Sequence, residues 1–81
     1  MSYFATNIKR LRLDYGLTQD ALAKSINVSV RTIRRWEDGA RLPLITDVKK
    51  IIDKYYVDDV YELVFGARKK PFKEIPKLYY I

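Results

Sequence analysis

Residues 17–37 read LTQDALAKSINVSVRTIRRWE, and two helices separated by a tight turn account for this pattern. Thr18 and Ser29 are residue types that cap helix N-termini, and each is bracketed by an apolar pair at the spacing of a hydrophobic staple. Asn27 lies between the two segments, where a sharp turn needs a residue that tolerates a positive φ. The stretch therefore predicts a helix, a short turn and a second helix that begins after Ser29.

The second of these helices has one apolar side and one side that carries only arginines. At 100° per residue, Ile33 and Trp36 lie about 60° apart on the side expected to face a core. Arg31, Arg34 and Arg35 are centred roughly 180° from that pair. The ordinary alternative is a solvated charged face, but such faces usually mix signs because like charges at i+3 and i+4 repel each other. Since the planar fork of Arg matches guanine edges and phosphate oxygens, the pattern favours a DNA-binding face.

A further helix is predicted before this pair. Apolar residues recur at intervals of three and four from Phe4 to Tyr15, which is typical of an amphipathic helix. Ser2 is a suitable N-cap, and Gly16 suits the left-handed position that ends a helix.

Two more helices are predicted after the pair. A fourth helix covers about residues 44–55, and a fifth begins after Asp58 or Asp59 and stops at Gly66. The residues expected to be buried in them are Ile45, Val48, Ile51, Ile52, Tyr55, Val60, Leu63 and Val64. No segment alternates long enough to indicate a strand, so we expect a compact all-α fold of five short helices with a short C-terminal extension.

Composition limits the possible functions. The 81 residues suffice for one small domain, and 16 Lys and Arg against 10 Asp and Glu give a net charge of +6. That surplus favours a polyanionic partner, either nucleic acid or an anionic membrane surface. The absence of Cys and His excludes thiolate and imidazole chemistry, so we expect no metal, no cofactor and no enzymatic activity. The short apolar runs and the lack of an export signal predict a cytoplasmic protein without a membrane span.

Charge and proline placement divide the chain into a core over residues 1–66 and an extension over residues 67–81. The extension holds five Lys or Arg residues against one Glu. Its apolar residues are too many for a plain solubilising tail: Phe72, Ile75, Leu78, Tyr79, Tyr80 and Ile81. Three alternatives stay open, namely contact with a second copy or with the core, contact of the basic stretch from Arg68 to Lys73 with phosphates, and a frayed tail.

A resemblance to the lambda-repressor-like family, the phage Cro/repressor type of helix-turn-helix, extends over residues 7–43, which read NIKRLRLDYGLTQDALAKSINVSVRTIRRWEDGARLP. It is specific in Leu17-Thr18-Gln19, in Val28-Ser29 and in the Trp36-Glu37-Asp38-Gly39 sequence. Asn27 replaces the glycine that the family often has. The resemblance implies that the second helix of the pair, the third of the chain, lies in the major groove of DNA.

The resemblance also implies individual roles for side chains. Val30, Arg31 and Arg35 match positions that reach base edges, although Val30 could equally be partly packed in the core. Gln19 matches a position that touches a phosphate and braces the first base-reading side chain. Arg34 could contact either base or backbone. The remaining matches are phosphate contacts, through the helix N-terminus at Ser29, the hydroxyl of Thr32 and the loop residue Arg41, for which a solvated side chain is the alternative.

Two residues match family positions with structural roles. Glu37 resembles the family acid that pairs with an arginine of the first helix, here Arg12. Trp36 lies on the same side as Ile33 and is predicted to pack in the core rather than stack on bases. Asp58 and Asp59 are better explained as helix caps than as metal ligands.

These features favour a sequence-specific regulator, most plausibly a phage- or mobile-element-type repressor that occludes a promoter. The alternative is an antitoxin-type interaction protein whose helix-turn-helix regulates its own promoter. Because one such domain offers few base contacts, we expect a homodimer on double-stranded DNA. The dimer contact would be either the extension or the surface of the fifth helix around Tyr61, Val64 and Phe65.

Overall fold

The computed structural model describes residues 2–73, which form five α-helices and, within that range, no strand. The helices are α1 (Tyr3–Asp14), α2 (Gln19–Ser25), α3 (Val30–Glu37), α4 (Ile45–Tyr55) and α5 (Val60–Phe65). The all-α prediction is therefore confirmed. No helix in this part of the chain has both the length and the apolar character that crossing a bilayer requires.

Side-chain caps begin four of the five helices. Ser2, Thr18 and Ser29 accept hydrogen bonds from the backbone N–H groups of Ala5, Ala21 and Thr32, as the sequence predicts. Of the two candidates before α5, Asp59 is the cap, and it accepts from the N–H of Glu62 at 2.9 Å. Each cap satisfies a backbone donor that the first helical turn leaves without a partner.

Left-handed residues end or separate the helices. Gly16 and Gly39 have φ values of 69° and 76°, and Asn27 adopts 55° in the turn between α2 and α3. Tyr56, at the end of α4, also has a positive φ of 53°. A positive φ is uncommon for a residue as bulky as tyrosine.

The core lies where α1 meets α3 and α5. Phe4 and Trp36 are fully buried and meet edge to face with ring centroids 5.5 Å apart. The other large apolar side chains that are fully buried are Ile8, Leu11, Leu22, Ile33, Ile51 and Leu63. The predicted core position of Trp36 is thus confirmed.

Two residues predicted to be buried are instead on the surface. Ile45 is 79 % exposed and Val60 is 40 % exposed, while Ile52 and Val64 are half-buried. Both exposed residues open a helix directly after an exposed loop, so no neighbouring element covers them. Helical periodicity predicts which side a residue faces, but it contains no information on whether another helix lies there.

The extension folds back along α1. The guanidinium of Arg10 donates to the carbonyls of Arg68 and Lys69, and the N–H of Phe72 donates to Asp14 Oδ2 at 2.9 Å. We call residues 67–73 the strap. Residues 74–81 lie outside the described residues, and so do the expectations for Ile75, Leu78, Tyr79, Tyr80 and Ile81.

The strap is fastened by a buried arginine. Arg68 is 7 % exposed, and its Nη1 lies 2.8 Å from Asp58 Oδ1 and 3.3 Å from Glu62 Oε1. Its guanidinium also stacks 4.1 Å above the centre of the Phe72 ring. The idea that Arg68 contacts phosphates is therefore wrong, because its donors are taken up within the fold.

Candidate nucleic-acid interface

The outward side of α3 is formed by Arg31, Arg34 and Arg35, all exposed, whereas Ile33 and Trp36 on the inward side are fully buried. The separation follows from the helical repeat, since the two groups differ by about half a turn. We call these three arginines the arginine face. Burial of the isoleucine and tryptophan fixes the rotation of α3 and hence the direction in which the arginine face points.

Positive charges elsewhere on the described surface are often in ion pairs, whereas within residues 2–73 none of the three residues of the arginine face is. On α4, Lys49 Nζ lies 2.6 Å from Asp53 Oδ2, and Lys50 Nζ lies 3.8 Å from Asp47 Oδ1. Over residues 2–73, Arg31 and Arg35 are in no ion pair. An uncompensated cationic surface attracts a polyanion more strongly than a surface of mixed charge.

The start of α3 carries the remaining polar groups of the predicted site. Ser29 Oγ accepts from the N–H of Thr32 at 3.1 Å and lies 3.0 Å from Thr32 Oγ1. The two hydroxyls therefore occupy the N-terminal turn together, where the helix dipole favours an anion. Val30, beside them, is half-buried against the core, so part of its side chain remains accessible.

An ion pair ties α1 to the C-terminal end of α3. Arg12 Nε lies 2.8 Å from Glu37 Oε2, and Arg12 Nη2 lies 3.1 Å from Glu37 Oε1. The two side chains are 12 % and 5 % exposed, and Arg12 Nη1 also donates to the carbonyl of Leu17 at 3.0 Å. The paired geometry is the fork-to-carboxylate arrangement that makes such bonds strong and directional.

Gln19 links this ion pair to the arginine face. Its Nε2 donates to Glu37 Oε1 at 3.3 Å, and its Oε1 accepts from Arg34 Nε at 3.4 Å. Gln19 therefore contacts Arg34 rather than Arg31. Sequence reasoning missed this contact, because it depends on how α2 and α3 cross and not on any spacing along one helix.

Arg41 is separate from these groups. It lies in the exposed loop between α3 and α4, outside any helix. The structure thus brings Gln19, Arg34, Glu37 and Arg12 into one connected set, whereas Arg31, Arg35 and Arg41 extend into solvent.

Comparison with known proteins agrees with this architecture. A family model described as helix-turn-helix matches residues 8–58, which is more than half of the chain. No curated protein and no solved structure is significantly similar to the chain. The matched residues run from the middle of α1 to just beyond the end of α4, and they contain every side chain of the arginine face and both partners of the Arg12–Glu37 ion pair.

Proposed function

The chain belongs to the lambda-repressor-like helix-turn-helix family of DNA-binding transcriptional regulators, and on that premise we propose that it is a repressor of the phage or mobile-element type. In this proposal α3 lies in the major groove of an operator and the bound protein excludes polymerase. The observation that supports it is the rotation of α3, which buries Ile33 and Trp36 and exposes the arginine face.

Base recognition is assigned to the start and the middle of α3. The guanidinium groups of Arg31 and Arg35 suit the O6 and N7 acceptors of guanine, and Arg is the side chain that makes this contact most often. The accessible part of Val30 suits the methyl group of thymine. Arg34, whose Nε is already engaged by Gln19, keeps its two terminal nitrogens for a base or a phosphate.

Phosphate contacts are assigned to the residues around this helix. Ser29 and Thr32 place two hydroxyls and the helix N-terminus at one point, and Gln19 lies at the N-terminus of α2. Arg41 would reach the backbone from the loop after α3. Such contacts fix the orientation of the protein on DNA without reading sequence.

The Arg12–Glu37 ion pair would act on recognition indirectly. It joins α1 to α3, and through Gln19 it extends to Arg34. A recognition helix that is held by two side chains from neighbouring helices, Arg12 and Gln19, loses less freedom on binding, and its side chains meet the bases in a defined register.

Two copies of the chain are needed for a specific site. A single helix with three or four base-reading side chains covers only a few base pairs, and dimers of this fold class read half-sites about 34 Å apart. We therefore propose a homodimer on a two-fold symmetric operator.

Selection of bound fragments from random duplex DNA tests the proposal. The expected result is a palindromic sequence with guanines at matching positions of both half-sites and centres one helical turn apart. Repeating the selection with Arg31→Ala should lose the preference at one guanine of each half-site. Recovery of unrelated sequences by the unaltered protein would contradict the proposal.

A further inference from the structure

Arg34 differs from the other two residues of the arginine face because another helix of the fold contacts its side chain. Its Nε donates to Oε1 of Gln19, the first residue of α2, at 3.4 Å. In the part of the chain that the structure describes, no hydrogen bond joins the side chain of Arg31 or Arg35 to another residue. All three arginines are exposed, so the difference between them lies in this contact and not in burial.

The orientation of the Gln19 amide follows from the chemistry of Glu37. Gln19 Nε2 donates to Glu37 Oε1 at 3.3 Å, and the oxygens of a carboxylate can only accept. The reverse orientation would place the amide oxygen against the carboxylate and the amide N–H groups against Arg34, donor against donor. Both hydrogen bonds of the amide are long, yet only one orientation satisfies both neighbours. Gln19 therefore presents an acceptor to Arg34.

Arg34 keeps an uncompensated positive charge in this arrangement. The charge of Glu37 is matched by Arg12, whose Nε and Nη2 donate to its two oxygens at 2.8 and 3.1 Å. The neutral amide of Gln19 lies between Glu37 and Arg34, so it holds the guanidinium without an ion pair. A direct ion pair with a carboxylate would also orient Arg34, but it would cancel much of the attraction of this side chain for DNA.

We propose that Arg34 is a specificity-determining residue that reads one guanine of the operator, and that Gln19 is the positioning residue that orients it. The inference rests on the proposed function, and it assigns Arg34 to a base rather than to a phosphate. Because Nε is engaged by Gln19, the edge formed by Nη1 and Nη2 is the fork left for DNA. That fork matches the O6 and N7 acceptors of guanine.

A defined orientation matters more for a base contact than for a phosphate contact. A bidentate contact with guanine needs the guanidinium plane aligned with the edge of the base, whereas a phosphate presents oxygens on several sides. Immobilising a flexible side chain on binding also lowers the affinity. Since Gln19 orders Arg34 before DNA binds, the contact of Arg34 should lose less of its favourable energy to ordering than the contacts of Arg31 and Arg35.

The test measures base preference, which is the ratio of the affinities of one variant for the selected operator and for a duplex altered at one base pair. Arg34→Lys keeps the charge but removes the fork. We expect it to lower the preference at one guanine about tenfold, while the affinity for random-sequence duplex DNA stays within about twofold. Gln19→Met should lower the preference at the same base pair about threefold or more. It should have little further effect in the Arg34→Lys background, because the two residues act as a unit.

Arg31→Lys is the matched control, since Arg31 is an exposed arginine of the same helix that Gln19 does not contact. The base preference that Arg31→Lys weakens should be unchanged in Gln19→Met. Each preference compares two affinities of one sample, so partial unfolding of a variant cancels in the ratio. Arg34 is exposed, and its replacement by lysine is expected to leave the fold intact.

Two results would overturn the inference while leaving the proposed function in place. The first is an Arg34→Lys variant that keeps every base preference, which would make Arg34 a phosphate contact. The second is a Gln19→Met variant that binds all duplexes more weakly by one common factor, which would make Gln19 a phosphate contact alone. An unaltered protein that selects no DNA sequence would instead overturn the proposed function and this inference together.

Discussion

At the scale of single residues, Glu37 has the most consequential position. Its carboxylate accepts two hydrogen bonds from Arg12 and one from Gln19, and it is 5 % exposed. A buried carboxylate that loses its cation is left without compensation, which costs more than the pair itself contributes. We therefore expect Glu37, which is linked to Arg34 through Gln19, to contribute to the stability of the fold as well.

Arg12→Met should lower the free energy of unfolding by about 3 kcal/mol, because it leaves Glu37 buried without its charge partner. The double variant Arg12→Met with Glu37→Leu should recover part of that loss, since it removes both charges. Urea unfolding of the two variants measures the difference. If the free energy of unfolding of Arg12→Met lies within about 0.5 kcal/mol of that of the unaltered protein, the ion pair does not stabilise the fold to the extent expected.

Arg31→Ala and Arg41→Ala should weaken DNA binding in different ways. Loss of the Arg31 side chain should cost about 1–3 kcal/mol on the selected operator and relax the preference at one base pair. Loss of Arg41 should weaken binding to all sequences by a similar factor, as expected for a phosphate contact. The measurement is the affinity of each variant for the operator and for operators altered at one base pair. If Arg31→Ala lowers the affinity for every duplex equally, Arg31 contacts the DNA backbone and not a base.

At the scale of elements, α5 and the strap depend on contacts that are distant in sequence. Asn7 reaches carbonyls 55 to 59 positions away, and Asp14 accepts from a backbone group 58 positions away. The caps and turns of α1 to α3 are local, so residue types and spacings predict them. No local sequence pattern encodes contacts across such separations. For this reason the sequence leaves three alternatives open for the extension, and it does not predict the contacts of Asn7.

Asn7→Ala should destabilise the protein by about 1–3 kcal/mol, because it leaves backbone carbonyls at the end of α5 without their donor. Thr6→Ala is the matched control, since Thr6 is the preceding residue of the same helix and is exposed. Thermal or urea unfolding of the pair provides the measurement. Equal stability of both variants would mean that α5 does not need its cap from α1.

The strap should loosen in acid. Hydrogen bonds from Lys70 and then from Arg68 hold the pKa of Asp58 below its usual value of 3.8. A carboxyl whose pKa is lowered by folding stabilises the protein above its ordinary pKa, and that contribution disappears as the pH falls through the lowered value. The stability difference between the unaltered protein and Asp58→Asn should therefore be constant from pH 7 to about pH 5 and shrink below pH 4. A difference that does not depend on pH would contradict this assignment.

At the scale of the whole molecule, two parts of the described surface differ in charge. The arginine face is cationic, and the surface between α4 and α5 that contains Ile45, Tyr61 and Phe65 is uncharged. The sequence predicts the first completely, because the positions of Ile33, Trp36 and the arginines along one helix determine it. The second can be predicted only in part. An excess of apolar residues near Tyr61 and Phe65 indicates an exposed apolar surface, but the exposure of Ile45 depends on whether another helix packs against it.

DNA affinity should depend steeply on salt. Each phosphate that the protein neutralises releases condensed counterions, so log K falls by roughly 0.9 per contact for each unit of log salt concentration. Several phosphate contacts per copy predict a steep negative slope, and Arg41→Ala should make it shallower by about one per copy. Fluorescence anisotropy of a labelled duplex from low to moderate salt gives the slope. A nearly flat dependence would exclude the arginine face as the binding surface.

The most direct test of the account is to remove the major-groove acceptor from the operator itself. Replacement of the selected guanines by 7-deazaguanine deletes N7 and leaves base pairing intact. If Arg31 and Arg35 read these bases from the major groove, binding should weaken about tenfold or more at each contacted guanine, and Arg31→Ala should abolish the difference at its own position. Unchanged affinity for the substituted operator would contradict insertion of α3 into the major groove.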